Sequence, residues 1–324
     1  MLRPRQNAYP GEARPLTTLL VTHPACSGHD MGEGHPERPE RLRAVDQALE
    51  DETFHFLARD AAPRVAIEAL TRVHRLDYVE AIQRASPTQG AIQLDSDTAM
   101  SPGTFEAALR SAGGATFAVD EVVMRRVDNA FVATRPPGHH AEAATPMGFC
   151  FFNNAAVAAR HAQAAHGVER VAIVDFDVHH GNGTQDIFWN DPTVMYASTH
   201  QMPLYPGTGA LSETGEHNQI VNAPLRAGDG GDAFRDAFET AILPRLDDFA
   251  PDLLIISAGF DAHFRDPLGG LNLSEADFAW VTERLVALAA RRCGGRLISL
   301  LEGGYDLEAL ARSAAAHVGA LMRG

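Results

Sequence analysis

The chain has 324 residues, 45% of them apolar and 21% charged, with a formal net charge of −15 at pH 7. That length fits one large α/β domain or two ordinary ones. The acidity argues against nucleic acid as a direct partner, since phosphate binding needs a basic surface, and modestly favours a cationic substrate.

Residues 1–15, "MLRPRQNAYPGEARP", carry charge and prolines but no apolar stretch. They read as a loose tail ahead of one domain at 16–324, not as a signal peptide. Strands are predicted at "LTTLLVT", "AFVAT", "RVAIVDF", "TVMYAS", "LLIIS" and "LISLL". Most are apolar throughout, as in strands buried on both faces of a parallel sheet. Helices are predicted over 39–50, 104–125, 154–166, 232–246, 274–291 and 307–322, with Ser274 ahead of "EADF" and Ser101-Pro102 ahead of Phe105 as starts. The β-α-β-α order predicts one sheet with crossover helices in a single α/β domain. The loops at 26–39 and 200–217 are long for plain connections, which marks them as functional. Cys26, Cys150 and Cys293 form no C-x-x-C pair, and no apolar run nears the roughly 18 residues of a membrane span. A reducing, cytoplasmic setting without membrane contact is the expectation.

Four of the strands release polar, glycine-containing loops. "AFVAT" runs into "RPPGHH", "VAIV" into "DFDVHHGNG", "LLIIS" into "AGFDAH", and "LISLL" into "EGGYD". Open parallel sheets bind ligands outside the carboxyl ends of their strands, so the four loops should meet in one crevice. In the second loop Asp177 and His179 are two apart, and on an extended segment they share a side. Alone, that pair is equally a buried polar contact. With Asp261 leaving a neighbouring strand end it becomes a three-ligand site with a position open for water. Oxygen and nitrogen ligands without thiolate suit Zn²⁺, and also Fe²⁺, Co²⁺ or Mn²⁺.

Beside such a site, His139 and His140 on a rigid turn suit acid–base work, each needing a partner on its other ring nitrogen. Asp175 and Asn182 flank the ligands and are of the right type. The histidine paired with Asn182 should titrate lower and shuttle the proton, and the one paired with Asp175 should stay cationic. Tyr305, after two glycines, could donate to an oxyanion developing on a carbonyl. Cys150 lies between apolar residues in "GFCFFNN" and is expected to pack, not to attack.

From "GHPERPERL" through "RPPGHHAE", "GFCFFNNAAVAA", "DFDVHHGNGTQDIFW", "LYPGTG" and "SAGFDAHFRDPLGG" to "LEGGYD", the chain resembles the zinc-dependent histone deacetylase superfamily. That superfamily includes acetylpolyamine amidohydrolases and acetoin-utilisation proteins. "RPPGHHAE" and "HHGNGTQ" resemble most its class II branch and bacterial relatives. The resemblance implies a single-domain, three-layer α/β/α fold with a mainly parallel sheet, shared with arginases, and a catalytic domain at 16–324. It implies zinc on Asp177, His179 and Asp261, and His140, directed to Asn182, as general base and later acid. His139, paired with Asp175, would be the electrostatic partner, and Tyr305 would polarise the scissile carbonyl. It further implies a narrow tunnel walled by Phe149 and Tyr205, with Gly148 beside Phe149, and Arg41 lining a cavity below the metal. Structural K⁺ would sit near Asp175, Asp177, His179, Ser198 and Thr199, the last two through backbone carbonyls.

Leu268, where polyamine-selective relatives tend to carry an acid, favours acyl-lysine, and Asp97 matches a loop that contacts the substrate backbone. Three functional readings follow: hydrolysis of an acylated lysine in protein or peptide, the same chemistry on a small acetylated amine, and a silent acyl-lysine- or nucleotide-binding module. The intact ligand set, both histidines and Tyr305 disfavour the last. A dimanganese arginase-type site lacks its bridging aspartates, because Val178 and His180 stand in their place. Homo-oligomers are frequent among bacterial relatives.

Overall fold

The computed structural model describes residues 16–324; the expected tail at 1–15 lies outside the described residues. Ten strands form: β1 (Thr18–Thr22), β2 (Ala58–Ala61), β3 (Ile92–Gln93), β4 (Ala99–Met100), β5 (Asn129–Val132), β6 (Val171–Asp175), β7 (Val194–Gln201), β8 (Ile220–Leu225), β9 (Leu253–Ala258) and β10 (Leu297–Leu301). Eight of them make one parallel sheet, ordered β2-β1-β5-β10-β9-β6-β7-β8, and β3 pairs with β4 in a small antiparallel ribbon.

Side-chain alternation divides the core between the two faces. Phe131, Ala172, Val174, Leu254 and Ile256 pack with residues of the helices Glu40–Ala48, Glu275–Arg292 and Leu307–Arg323. Ala130, Val132, Ile173, Leu253 and Ile255 pack on the other face, against Thr104–Val123 and Asn154–His166. Leu253 to Ile256 are wholly buried, and each such side chain contributes about 1.5–3 kcal/mol relative to exposure. The result is the expected three-layer α/β/α arrangement. Register sets the site: Asp175 lies opposite Ser198 on β7 and Ser257 on β9, and Ser257 opposite Leu300 on β10. The central strands therefore end at one level, and their loops open into one space.

Several expectations need correction. The helix expected over 232–246 is three pieces, Gly231–Ala237, a π turn at Phe238–Ile242, and Leu243–Phe249. Pro244 lacks an N–H and cannot accept a regular helical turn before it, so the ladder widens there. Ser101 does not cap the Thr104–Val123 helix; Gly103 occupies that position, and the Ser101 hydroxyl accepts the Asp30 N–H at 3.0 Å. Ser274 does cap its helix, in a reciprocal box with Asp277. The edge strands β2, "ARDA", and β8, which carries Pro224, were not expected. Edge strands lack the long apolar run, and an edge tolerates proline.

Candidate active site

The RPPGHH turn leaves β5 and is pinned from below. Glu302, at the end of β10, accepts the backbone N–H groups of Gly138 (2.7 Å) and His139 (3.2 Å) on Oε2, and the Ser257 hydroxyl on Oε1 (3.0 Å). Arg135 forms a two-pronged pair with Glu37 of the HPERPE loop, wholly buried. Arg41 donates to the carbonyls of Glu302 (2.5 Å) and Gly304 (2.6 Å), and its guanidinium lies 4.8 Å from the centre of the Tyr305 ring. The N-terminal loop thus clamps two of the four loops of the site. Neither Glu302 nor the Glu37–Arg135 pair was singled out from sequence, since glutamate in a polar loop carries no signal and the pair is far apart in the chain.

The turn fixes two imidazoles with centroids 4.0 Å apart. His139 Nδ1 lies 3.0 Å from Asp175 Oδ2, which also accepts the Tyr196 hydroxyl at 3.0 Å. His140 Nδ1 lies 2.8 Å from Asn182 Oδ1. Burial opposes a charge on His139, but the charges of Asp175 and Asp177 outweigh it and hold its pKa well above the usual value. Burial, and then the charge of His139, hold His140 well below. The direction matches the expected division. Its largest cause is burial, more than the contrast between Asp and Asn.

Beyond β6 the chain bends instead of staying extended, so strand alternation is not what brings Asp177 and His179 together. Backbone donors do it: Asp177 Oδ1 accepts the His179 N–H (2.9 Å), Asp177 Oδ2 accepts the Gly303 N–H (2.8 Å), and Asp261 Oδ1 accepts the Val178 N–H (2.9 Å). A Cβ on Gly303 would lie 2.0 Å from Asp261 Oδ2, so only glycine lets β10 approach the carboxylates. His179 Nδ1 is 3.1 Å from Asp177 Oδ1 and 3.2 Å from Asp261 Oδ2.

One N–H cannot serve both carboxylates, and Asp261 Oδ2 is buried without a hydrogen bond. Burial and the nearby charge of Asp177 push Asp261 up to about 7. Burial disfavours charge on His179, yet hydrogen bonds to the two aspartates lift it to about 10. The three ligand atoms lie within 4.8 Å of one another. Two carboxylates and a ring nitrogen converging in a dry interior, with one oxygen orphaned, fit a divalent cation.

Above this cluster opens a cavity of about 260 Å³ lined by Asp97, His140, Gly148, Phe149, His179, Leu204, Tyr205, Leu268 and Tyr305. All five expected rim and wall positions are there, and Leu204 is added. Phe149 takes a left-handed φ of 69° after Gly148 at 54°, and a Cβ on Gly148 would strike the His140 ring at 2.4 Å. The strained pair sets the Phe149 ring nearly perpendicular to Tyr305, centroids 5.9 Å apart. Tyr205 stands edge-on to His140 at 5.2 Å. The carboxylate of Asp266 turns inward to the N–H groups of Tyr305 (2.7 Å) and Leu268 (3.0 Å), so it does not line the cavity. His180 faces away, toward Thr208 (2.7 Å) and Gln185 (3.1 Å). Cys150 is buried with its thiol pushed up by burial, consistent with packing.

The histone deacetylase domain family matches residues 35–321, and this chain belongs to that family. Its relatives are deacetylases and amidohydrolases. It is 41% identical over 278 residues to the histone deacetylase-like amidohydrolase of Pseudomonas aeruginosa, covering 84% of this chain and 73% of that one. It is 40% identical over 299 residues to a probable deacetylase of Archaeoglobus fulgidus, covering 90% and 82%. It is 41% identical over 319 residues to chloroplastic histone deacetylase 10 of Oryza sativa subsp. japonica, covering 92% and 71%. The crystal structure of the HDA15 HD domain matches with a TM-score of 0.90 at 38% identity, over 95% of this chain and 88% of that one. No helix among the described residues is long and apolar enough to cross a membrane.

Proposed function

We propose that residues 16–324 form one catalytic domain that removes acetyl or related short acyl groups from lysine side chains of proteins or peptides. The observation that carries this is the cavity itself. Its walls, Phe149, Leu204, Tyr205 and Leu268, are mostly apolar and suit an aliphatic lysine stem, and it narrows onto His140, His179 and Tyr305. Asp177, His179 and Asp261 would hold the divalent ion, Zn²⁺ before Fe²⁺, Co²⁺ or Mn²⁺. When bound, such an ion polarises the acyl carbonyl and makes water a stronger acid.

The protein groups then have defined tasks. His140 gives its Nδ1 proton to Asn182, which leaves Nε2 free to take the proton of an attacking water as the new C–O bond forms. The Tyr305 hydroxyl, kept protonated by a pKa well above its usual value, donates to the carbonyl oxygen as negative charge grows there. His139, cationic beside Asp175, stabilises that charge at short range. As the C–N bond breaks, His140 passes its proton to the leaving amine, giving a carboxylic acid and free lysine. Asp175, Asp177, His179, Ser198 and Thr199 would seat a structural K⁺. The pairing of Asp175 with Ser198 across β6 and β7 supports it, as does the buried, unpartnered hydroxyl of Thr199.

Lysine is favoured over a polyamine because the RDPLGG turn offers no carboxylate to a second ammonium, Asp266 being engaged inward. Asp97 at the rim is the one acidic group in the lining that such an ammonium could use, and it keeps the small-amine reading in play. The three buried, unpaired thiols suit a reducing compartment, and we place the protein in the cytoplasm. The test is acetate release from an acetyl-lysine peptide by chelator-stripped protein before and after Zn²⁺ is restored. Release that depends on the ion supports the reading, and equal release by the stripped protein contradicts it.

A further inference from the structure

A second cluster of metal-ligating side chains lies outside the crevice. His161 Nε2 is 2.7 Å and His166 Nε2 2.6 Å from the same oxygen, Asp120 Oδ1. The rings are steeply inclined, 79°, with centroids 5.8 Å apart, so the two nitrogens approach that oxygen from different directions. The three ligand atoms lie within 4.8 Å of one another. Asp120 is in the last turn of the helix Thr104–Val123, and His166 is the last residue of Asn154–His166. Two helix C-termini, each with partial negative charge, therefore meet at the cluster and favour a cation there.

Topology separates this place from the catalytic crevice. Both helices run back from the carboxyl ends of the strands, and their C-termini precede β5 and β6. The cluster sits at the amino end of the sheet, on the opposite side from His140 and Tyr305.

We propose that Asp120, His161 and His166 form a second divalent-metal site, for an ion of the Zn²⁺, Co²⁺ or Ni²⁺ class, that ties the C-terminal ends of these two helices together. Two imidazoles and one carboxylate are a ligand set these ions accept, and three protein ligands leave a position for water. The side chains of Asp120 and His161 are 37% and 17% exposed, so water and ion have access. His161 Nδ1 has no hydrogen-bond partner, so no second-shell contact stiffens the ring. That and the three-ligand count make the ion exchangeable, not permanently held. Without it, the two rings simply donate to one carboxylate.

The experiment is equilibrium dialysis of the full chain against Co²⁺, with metal analysis and visible absorption. Wild type should take two ions per chain. His161→Gln and His166→Gln, which keep a side chain able to donate to Asp120, should take one, with deacylation by the reloaded protein within twofold of wild type. A chain carrying Asp177→Asn and Asp261→Asn should still take one ion and gain thermal stability from it, and adding His166→Gln should abolish both effects. Equal uptake by wild type and the two glutamine variants would overturn the second site, as would wild-type uptake of one ion that vanishes with Asp177→Asn. Neither result touches the reading of the crevice, which stands or falls on Zn²⁺-dependent acetate release.

Discussion

The Nδ1 atom of His140 meets the amide oxygen of Asn182 at 2.8 Å, while its neighbour His139 meets the carboxylate of Asp175 at 3.0 Å. Two adjacent imidazoles thus face partners of different charge within one buried turn. Replacing Asn182 with Asp would put an anion on His140 and raise its pKa, so more of it would be protonated and unable to act as base. In Asn182→Asp the acid limb of the kcat/KM–pH profile should move to higher pH, with activity at pH 7 down about tenfold or more for a shift of one pH unit or beyond. An unmoved limb would remove His140 from the role of base.

Tyr305 is expected to act on the transition state and not on the metal. Tyr305→Phe should lower kcat by about 10²–10³-fold, the usual loss for one oxyanion donor. Zinc content, measured by metal analysis, should be unchanged. Loss of zinc together with activity would make Tyr305 structural.

Glu302 anchors the His139–His140 turn through two backbone N–H groups while contacting no substrate. Removing it leaves those donors buried and unpaired, a cost of about 1–3 kcal/mol each. Glu302→Ala should lower kcat and thermal stability with KM nearly constant, whereas Glu302→Gln, which keeps an acceptor for the turn and a donor for Ser257, should recover most of both. An alanine variant with wild-type kcat would show that Arg135 and Glu37 suffice to hold the turn.

What could be read from sequence followed from regularities along the chain. Apolar runs ending in glycine-rich polar loops located Asp177, His179, Asp261, His139, His140 and Tyr305, because strand ends in a parallel sheet converge. Residues that hold these in place were hidden. Glu302, Tyr196 and the Glu37–Arg135 pair act across strands and over long sequence separations, and nothing local in "LEGGYD" distinguishes an anchoring glutamate from a solvated one. The bend after Asp175 was hidden too, since the backbone donors that shape it come from glycine and valine positions without chemistry of their own.

The metal should be part of the stability of the crevice. Asp177 and Asp261 crowd two buried carboxylates around one imidazole, so an ion that binds the folded state should raise the melting temperature. Chelation should lower the Tm of wild type, and Asp261→Asn should lose the ion while losing most of the chelator effect. A Tm indifferent to chelator in protein shown to be stripped would contradict the fit of this cluster to a cation.

Acid should destabilise the fold before its carboxylates protonate. Burial holds His74 and His200 down to about 4, and His180 and His317 down to about 3. In the unfolded chain each takes its proton near 6.5, so between pH 6.5 and 4 the unfolded state binds more protons and stability falls as pH drops. Each contributes up to about 1.4 kcal/mol per pH unit in that window. Urea unfolding at pH 7.5, 6 and 5 should show this decline, with a shallower slope in His317→Gln; a flat profile would mean these rings protonate in the folded state.

The most direct test of the account is kcat/KM measured side by side on an acetyl-lysine peptide and acetylputrescine, with zinc-loaded protein and Tyr305→Phe as control. The account predicts a clear preference for the peptide that disappears in the control. Preference for acetylputrescine would contradict it, and would show that the acidic rim at Asp97, not the uncharged turn at Leu268, selects the substrate.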